Sequence, residues 1–262
     1  MSRDNWIVSL LLLLWPALCW PESADQYDGE EALAISQAAI GRPLANHVFR
    51  DVHGNPFKIA DLAGKPLVVS LIFTSCHHVC PMITRNIRKT TDIAREALGD
   101  DAFSTLTIGF DWKVDTPKRM GLFASGHGID VDGWHFLSGD EASITAITEN
   151  LGFLFFPSVR GFDHLAQTTI VDADGIIYRQ VYGQDFGAPA LVEPLKQLVF
   201  DTPRSAGLVE HWVDNFKLFC TVYDPNSGRY RFDYSIFMTI FVGTLCLGAI
   251  AIFVVREWRH AR

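Results

Sequence analysis

The feature that most restricts the fold of this chain is PLVVSLIF, a continuous run of apolar and β-branched residues at positions 66–73. Such a run, without polar alternation, is typical of a strand buried on both faces in the centre of a sheet. The stretch FTSCHHVCP overlaps its end at 73–81, and apolar residues at helical spacing continue over 82–98. The pattern therefore places two cysteines, Cys76 and Cys80, between a central strand and a helix.

Strand and helix patterns alternate through residues 41–200, which we interpret as one domain. Strands are predicted at 48–51, 56–59, 66–73, 103–110, 134–137, 166–171 and 176–181, and helices at 82–98, 115–124, 141–151 and 189–200. Alternation of this kind, closed by a hairpin and a last helix, predicts an α/β fold in which helices flank a central mixed sheet.

The N-terminus has the pattern of an export signal. Arg3 precedes an apolar segment at 6–15, and small residues suit cleavage after Cys19. Modification of Cys19 by lipid is an alternative. We therefore predict a signal peptide at 1–20, followed by an acidic tether or short helix at 21–40.

The C-terminus contains an uninterrupted uncharged run at 236–255. At about 1.5 Å per residue this run has roughly the 30 Å length of the hydrocarbon layer. We predict a linker at 201–233, a transmembrane helix at 234–255 and a cytoplasmic tail at 256–262. Together with the export signal, this predicts a single-pass protein of the bacterial inner (plasma) membrane, with the domain at 41–200 in the periplasm.

Cysteine count and charge exclude two broad classes of function. Apart from Cys19 and Cys246, the cysteines are Cys76, Cys80 and Cys220, and an odd number argues against a disulfide scaffold. The net charge is −8, with no basic stripe, which argues against nucleic-acid binding. A close pair with one remote cysteine instead indicates redox or metal chemistry.

The position of the cysteine pair favours reactive sulfur. Unpaired N–H groups and the dipole at a helix N-terminus stabilise a thiolate. A separation of four residues puts Cys76 and Cys80 on one helix face, where they could form a disulfide or chelate one ion. The spacing is not the C-x-x-C of a thioredoxin-type pair, and no second pair completes a structural zinc site. Two thiolates with one imidazole would suit Cu(I), or Cu(II) with a further ligand.

Four motifs occur in an order that resembles a known family. They are FTSCHHVCP at 73–81, GFDWKVDTPKRM at 109–120, WHFLSGD at 134–140 and FDHLAQTTIVDADG at 162–175. Over about residues 41–200 the sequence resembles the SCO/SenC family of copper-binding, thioredoxin-like cytochrome c oxidase assembly proteins.

The resemblance implies a thioredoxin-like fold, a site and a set of partners. Copper, as Cu(I) or Cu(II), would be bound by Cys76, Cys80 and His164, with Asp115 close enough to shape the electrostatics. The implied partner is the copper-bearing subunit II of cytochrome c oxidase, with other copper carriers or thioredoxin-like reductases as further partners. Each of these residues also has a purely structural interpretation: Asp115 could cap a helix, His164 could be a core histidine and the cysteines could form a structural disulfide.

The sequence departs from the family pattern in two places. His77 and His78 replace residues of the usual C-P-x-x-C-P loop, and the predicted membrane anchor is C-terminal instead of N-terminal. Because adjacent side chains diverge, we expect the two histidines to lie beside the site or to contact copper transiently.

Three functions are compatible with these residues. The first is a copper chaperone that delivers copper to, or prepares, the binuclear copper site of the oxidase. The second is a thiol–disulfide oxidoreductase in which Cys76 and Cys80 reduce the copper-ligand cysteines of the target. The third is a peroxide-reducing thiol enzyme, which needs an arginine at the thiolate, and Arg85 is the candidate. Whether the protein is an enzyme is therefore left open by the sequence.

Overall fold

The computed structural model describes residues 27–45, 47–130, 132–201, 221–224, 229–232 and 235–260. The predicted signal peptide at 1–20, the alternative lipid site at Cys19 and the remote Cys220 lie outside the described residues.

A seven-stranded mixed sheet forms the centre of the domain. The described strands are β1 (Val48–Arg50), β2 (Pro56–Lys58), β3 (Leu67–Ile72), β4 (Ser104–Gly109), β5 (Trp134–Ser138), β6 (Phe155–Ser158), β7 (Gly161–His164), β8 (Gln167–Val171), β9 (Ile177–Tyr182), β10 (Thr221–Asp224) and β11 (Arg229–Phe232). The order in the sheet is β2-β1-β5-β4-β3-β8-β9. Strands β3, β4 and β5 run parallel, whereas β8 is antiparallel to β3 and β9 to β8.

Helices cover this sheet. They are α1 (Gly29–Ala38), α2 (Val79–Leu98), α3 (Pro117–Gly126), α4 (Glu141–Leu151), α5 (Ala188–Asp201) and α6 (Ser235–His260), with a short 3₁₀ helix at Ile59–Leu62. Every residue of β3 and of β4 is buried, as expected for central strands covered on both faces. The predicted α/β architecture with a mixed sheet is therefore confirmed.

Helix α2 follows directly from the loop that carries Cys76. Its apolar residues Ile83, Ile87 and Ala94 are buried at helical spacing. Thr90 and Thr91 are also buried, because their hydroxyls bond back to carbonyls of the preceding turn. The two threonines that interrupt the apolar pattern in the sequence therefore do not interrupt the helix.

The start of helix α3 fixes the segment after β4. Thr116 is the N-cap residue and its hydroxyl accepts a hydrogen bond from the Arg119 N–H at 3.4 Å. Pro117 occupies the first helical position, where its missing N–H is not needed. The capping role considered for Asp115 thus belongs to its neighbour, and the Asp115 side chain is available for other bonds.

The predicted transmembrane helix is not borne out. None of the helices in the described part of the chain has both the length and the apolar character needed to cross a bilayer. The predicted span at 234–255, and with it the single-pass inner-membrane location with a periplasmic domain, is therefore wrong. Strands β10 and β11 pair within the predicted linker at 201–233.

Candidate metal centre

The two cysteines lie at the carboxyl end of β3. Phe73 ends the buried strand segment, Cys76 lies half-buried in the loop that follows, and Cys80 is fully buried in the first turn of α2. Both thiols are free. The helix begins at Val79, so Cys80 lies in its first turn, where the backbone N–H groups have no partner within the helix.

The two sulfurs are in direct contact but differ in protonation. The Cys80 thiol donates a hydrogen bond to the Cys76 sulfur, and the N–H groups of Cys80, His78 and Val79 also point to that sulfur. Partial burial acts in the opposite direction, because it raises the pKa of Cys76. The Cys80 N–H lies 3.3 Å from Cys76 Sγ. These donors lower the pKa of Cys76 to about 5. The same hydrogen bond, together with burial, raises the pKa of Cys80. At neutral pH the pair is therefore a Cys76 thiolate beside a Cys80 thiol.

His164 ends strand β7, at the cross-strand position of Phe155 in β6. Its Nδ1 lies 3.0 Å from the Leu165 carbonyl oxygen. Because a carbonyl only accepts, Nδ1 carries the proton and Nε2 keeps a free lone pair for a metal. The ring packs among Phe73, Phe110 and Phe153, with ring centroids 6.1, 5.5 and 5.2 Å away.

Burial among these rings lowers the pKa of His164, although the Leu165 carbonyl and the Cys76 charge oppose the shift. The imidazole is therefore neutral at neutral pH, which is the form that binds metals.

The three sequence-predicted ligands are brought near one another but are not closed around a site. Within the described residues, no group of three or more His, Cys, Asp or Glu side chains is arranged so that it could hold a metal ion. Cys76 and Cys80 are in contact, whereas the interaction between His164 and Cys76 is electrostatic.

Asp115 ties the cysteine loop to the end of β4. Its Oδ1 accepts hydrogen bonds from the N–H and hydroxyl of Thr74, at 2.8 and 2.7 Å, and its Oδ2 accepts one from the Asp111 N–H at 2.9 Å. Burial raises the pKa of Asp115, and its charge contributes to the raised pKa of Cys80. Gly109 makes this packing possible, because a Cβ there would lie 2.5 Å from Asp115 Cβ.

The remaining predicted residues lie on the outside of the site. His77 and His78 are exposed, and His78 is the N-cap residue of α2 without a side-chain capping bond. Arg85, the residue needed by the peroxide-reducing hypothesis, is exposed on α2. None of the hydrogen bonds among the described residues joins it to Cys76.

Sequence reasoning missed the groups that hold the predicted residues in place. Thr74 holds Asp115, and the Leu165 carbonyl sets the His164 tautomer. Three phenylalanines contact the imidazole, and two more pack against Phe110; they are Phe73, Phe110 and Phe153, followed by Phe155 and Phe162. The only sequence signal is the aromatic stretch FLFF at 153–156, close before His164.

Comparison with known proteins gives the same picture for the domain. The family model SCO1/SenC matches residues 39–199. The SCO1 protein homolog of Bacillus subtilis (strain 168) is 26% identical over 92 residues, which are 35% of this chain and only 46% of that protein.

Two solved structures illustrate the likeness in fold. A SCO1/SenC family lipoprotein from Bacillus anthracis str. Ames is similar at 25% identity and a TM-score of 0.55, covering 60% of this chain and 95% of its own. Arabidopsis thaliana ScoI with copper bound is 16% identical, with a TM-score of 0.51, and the match covers 57% and 92% of the two chains. The predicted thioredoxin-like class is confirmed. The chain therefore belongs to the SCO1/SenC family.

Proposed function

We propose that this protein carries copper on Cys76, Cys80 and His164 and delivers it to the binuclear copper site of cytochrome c oxidase, or prepares that site. The copper-bearing subunit II is the proposed partner, and copper is cargo. The observation that carries the proposal is the direct contact of a Cys76 thiolate with the Cys80 thiol, beside a neutral His164.

The donor set fits copper better than other biological metals. Thiolates and imidazole are the ligands that Cu(I) prefers, and a low ligand number suits Cu(I) more than zinc. The tautomer of His164 leaves Nε2 free to bind. Since no three-ligand group is closed beforehand, the ion would be held by an arrangement that can open again, as a carrier requires.

Each residue has a defined task in this proposal. The N–H groups at the start of α2 stabilise the Cys76 thiolate, which is the first strong ligand. Cys80 releases its proton to water when its sulfur binds the ion. Asp115 fixes the loop through Thr74 and remains outside the ligand set.

Anaerobic Cu(I) titration of the reduced full chain tests the ligand assignment. We expect the wild type to retain copper in competition with a chelator and His164→Ala to lose retention, while its cysteines still form a reducible disulfide. His53→Ala is the matched control, because His53 is exposed in the turn between β1 and β2. Full retention with unchanged spectra in His164→Ala would show that the ligand set is wrong.

The asymmetry of the cysteine pair supports thiol–disulfide exchange as a second function. The half-exposed Cys76 thiolate would attack a disulfide of the target and release one target thiolate. Cys80 would then lose its proton and attack the Cys76 sulfur of the mixed disulfide, releasing the second. Two electrons pass to the target, and the protein is left with a Cys76–Cys80 disulfide.

Trapping separates this function from copper carriage. With a disulfide-bonded peptide as the target, Cys80→Ser should accumulate a mixed disulfide because the resolving thiol is absent, whereas Cys76→Ser should form none. Equal trapping by both variants would contradict the assignment of Cys76 as the attacking sulfur. A wild type that reduces the peptide but retains no copper would favour exchange over carriage.

A further inference from the structure

Soft metal-binding side chains lie on the solvent side of the cysteine pair. The imidazoles of His77 and His78 are exposed, and the thioether-bearing Met82 is 40% exposed on the first turn of α2. Cys80, by contrast, is fully buried and Cys76 is half-buried. A copper ion that arrives from a donor molecule therefore meets the outer side chains before it meets both sulfurs.

The backbone brings His78 and Met82 to one side of the helix start. His78 is the N-cap residue, and the Met82 N–H donates to its carbonyl oxygen at 3.4 Å, which closes the first turn. His78 itself has non-helical dihedrals, so this backbone hydrogen bond, and not the regular spacing of a helix face, is what joins the two residues across the first turn. The His78 side chain makes no capping hydrogen bond, so its imidazole is not engaged in capping the helix.

The same turn places this pair next to the thiolate. The His78 N–H points to Cys76 Sγ, as one of the donors that lower the pKa of that thiol. The exposed His78 and Met82 side chains therefore belong to the same helix start whose backbone N–H groups contact the sulfur that becomes the first strong ligand. His77 lacks this relation to Met82, because adjacent side chains point in different directions.

We propose that His78 and Met82 form an outer exchange site, through which Cu(I) passes to Cys76 and then to Cys80 and His164. The inference rests on the proposed copper-carrying function. Imidazole and thioether are soft ligands that accept Cu(I). Two neutral donors bind the ion weakly, so the site speeds transfer without retaining the cargo.

The step is a ligand exchange without a change of oxidation state. The ion remains Cu(I) while a bond to the donor molecule breaks and bonds to the His78 nitrogen and the Met82 sulfur form. The Cys76 thiolate then binds the ion as the thioether leaves. The Cys80 thiol releases its proton to water when its own sulfur–copper bond forms, and the bond to the His78 nitrogen breaks as His164 Nε2 binds the ion.

Stopped-flow transfer from a coloured Cu(I)–chelator complex to the reduced full chain tests the inference. We expect His78→Ala and Met82→Leu each to slow transfer by about tenfold, the lower end of what loss of a supporting group costs at metal sites. The final amount of copper bound should equal that of the wild type. His53→Ala is the control and should transfer at the wild-type rate.

A second measurement detects the outer site directly. In the Cys76→Ser/Cys80→Ser variant, added Cu(I) should shift the NMR signal of the Met82 methyl group, and addition of His78→Ala should abolish the shift. Wild-type rates in both His78→Ala and Met82→Leu would overturn the outer site while leaving copper carriage intact. Slowing by His77→Ala with no effect of His78→Ala would also overturn it. A wild type that takes up no copper at all would instead overturn the proposed function.

Discussion

Gly161 sets the distance between the hairpin that carries His164 and the strand that leads to the cysteines. Its φ is +110°, a conformation that residues with a Cβ rarely adopt, and a Cβ there would lie 2.6 Å from Phe73 Cε2. Phe73 in turn packs edge-on against Phe162 and His164. The absence of a side chain at one position therefore lets the hairpin lie close to the cysteine loop.

Alanine at Gly161 should displace this hairpin. Gly183 provides a matched control, because its φ is +96° but no heavy atom lies within 4 Å of its Cβ position. Gly183→Ala should cost only backbone strain, about 1 kcal/mol, whereas Gly161→Ala should cost about 1–3 kcal/mol more from the clash. Denaturant unfolding measures both losses, and Cu(I) competition should show weaker binding for Gly161→Ala alone. Equal losses of stability would contradict the steric argument.

The Cys76 thiolate should make stability depend on pH. The pKa of Cys76 falls from 9.0 to about 5 on folding, so its contribution is present above the unfolded-state pKa and is lost as pH falls through about 5. Cys80 has a raised pKa, so its contribution is present below its unfolded-state pKa and is lost at higher pH. The free energy of unfolding should therefore rise from pH 5 towards pH 9 through Cys76.

Denaturant unfolding across this range, in wild type and Cys76→Ser, measures the effect. The difference between the two proteins removes contributions from carboxylates such as Asp115 that titrate in both. Alkylation provides a second readout, with Cys76 reacting at a rate that is half-maximal near its pKa of about 5. Parallel pH profiles for the two proteins would mean that the thiolate is not stabilised by folding.

At the scale of elements, the hairpin β6–β7 stands apart from the seven-stranded sheet. Among the described strands, these two pair only with each other. Aromatic contacts hold it in place: Phe155 and Phe162 lie 4.9 and 5.4 Å from Phe110, measured between ring centroids. The position of His164 therefore depends on side-chain packing more than on backbone ladders.

The two faces of β6 provide a test of this dependence. Phe155 is the cross-strand neighbour of His164 and packs on Phe110, whereas the adjacent Phe156 contacts Tyr27 on the other face. Both side chains are half-buried, so truncation to alanine should cost about 2 kcal/mol or somewhat more in each case. Only Phe155→Ala should also weaken Cu(I) retention and change the His164 ring signals in NMR spectra. Equal loss of copper in the two variants would show that packing of Phe155 does not position the imidazole.

The same hairpin marks the limit of what could be predicted from the sequence. Runs such as 66–73 and 103–110 are rich in apolar and β-branched residues and contain no charge, and each predicted strand is found within a residue or two of its predicted ends. β6 and β7 have no such run, since Pro157 and Gly161 interrupt them, and their pairing depends on distant rings. Helix α2 begins at Val79 instead of Met82, because the first turn contains polar and cysteine residues that carry no apolar period.

At the scale of the whole molecule, topology explains why distant residues meet. Parallel β3 and β4 end side by side, which brings the Cys76 loop next to the segment with Asp115. β8 is antiparallel to β3, with Thr168 opposite Ser70, so its first residues lie at the carboxyl end of β3. His164 precedes β8 by a few residues and therefore reaches the same end. Periodicity alone could not predict this convergence, and only the family resemblance indicated His164.

This arrangement predicts where copper should change the dynamics of the protein. The central strands β3 and β4 are buried and paired on both sides, whereas the cysteine loop and the β6–β7 hairpin lie outside this sheet. Binding to the native state stabilises it by mass action, and ligation by His164, as proposed, would connect the hairpin to the cysteines through the ion. Amide hydrogen exchange of the reduced protein should therefore slow on addition of Cu(I) at 74–80 and 155–164, with little change in β4 and β5. In His164→Ala the slowing should persist at 74–80 and vanish at 155–164, because the cysteines alone no longer connect the hairpin to the ion. Slowing confined to the sheet, or identical in the two proteins, would show that the hairpin does not close on the metal.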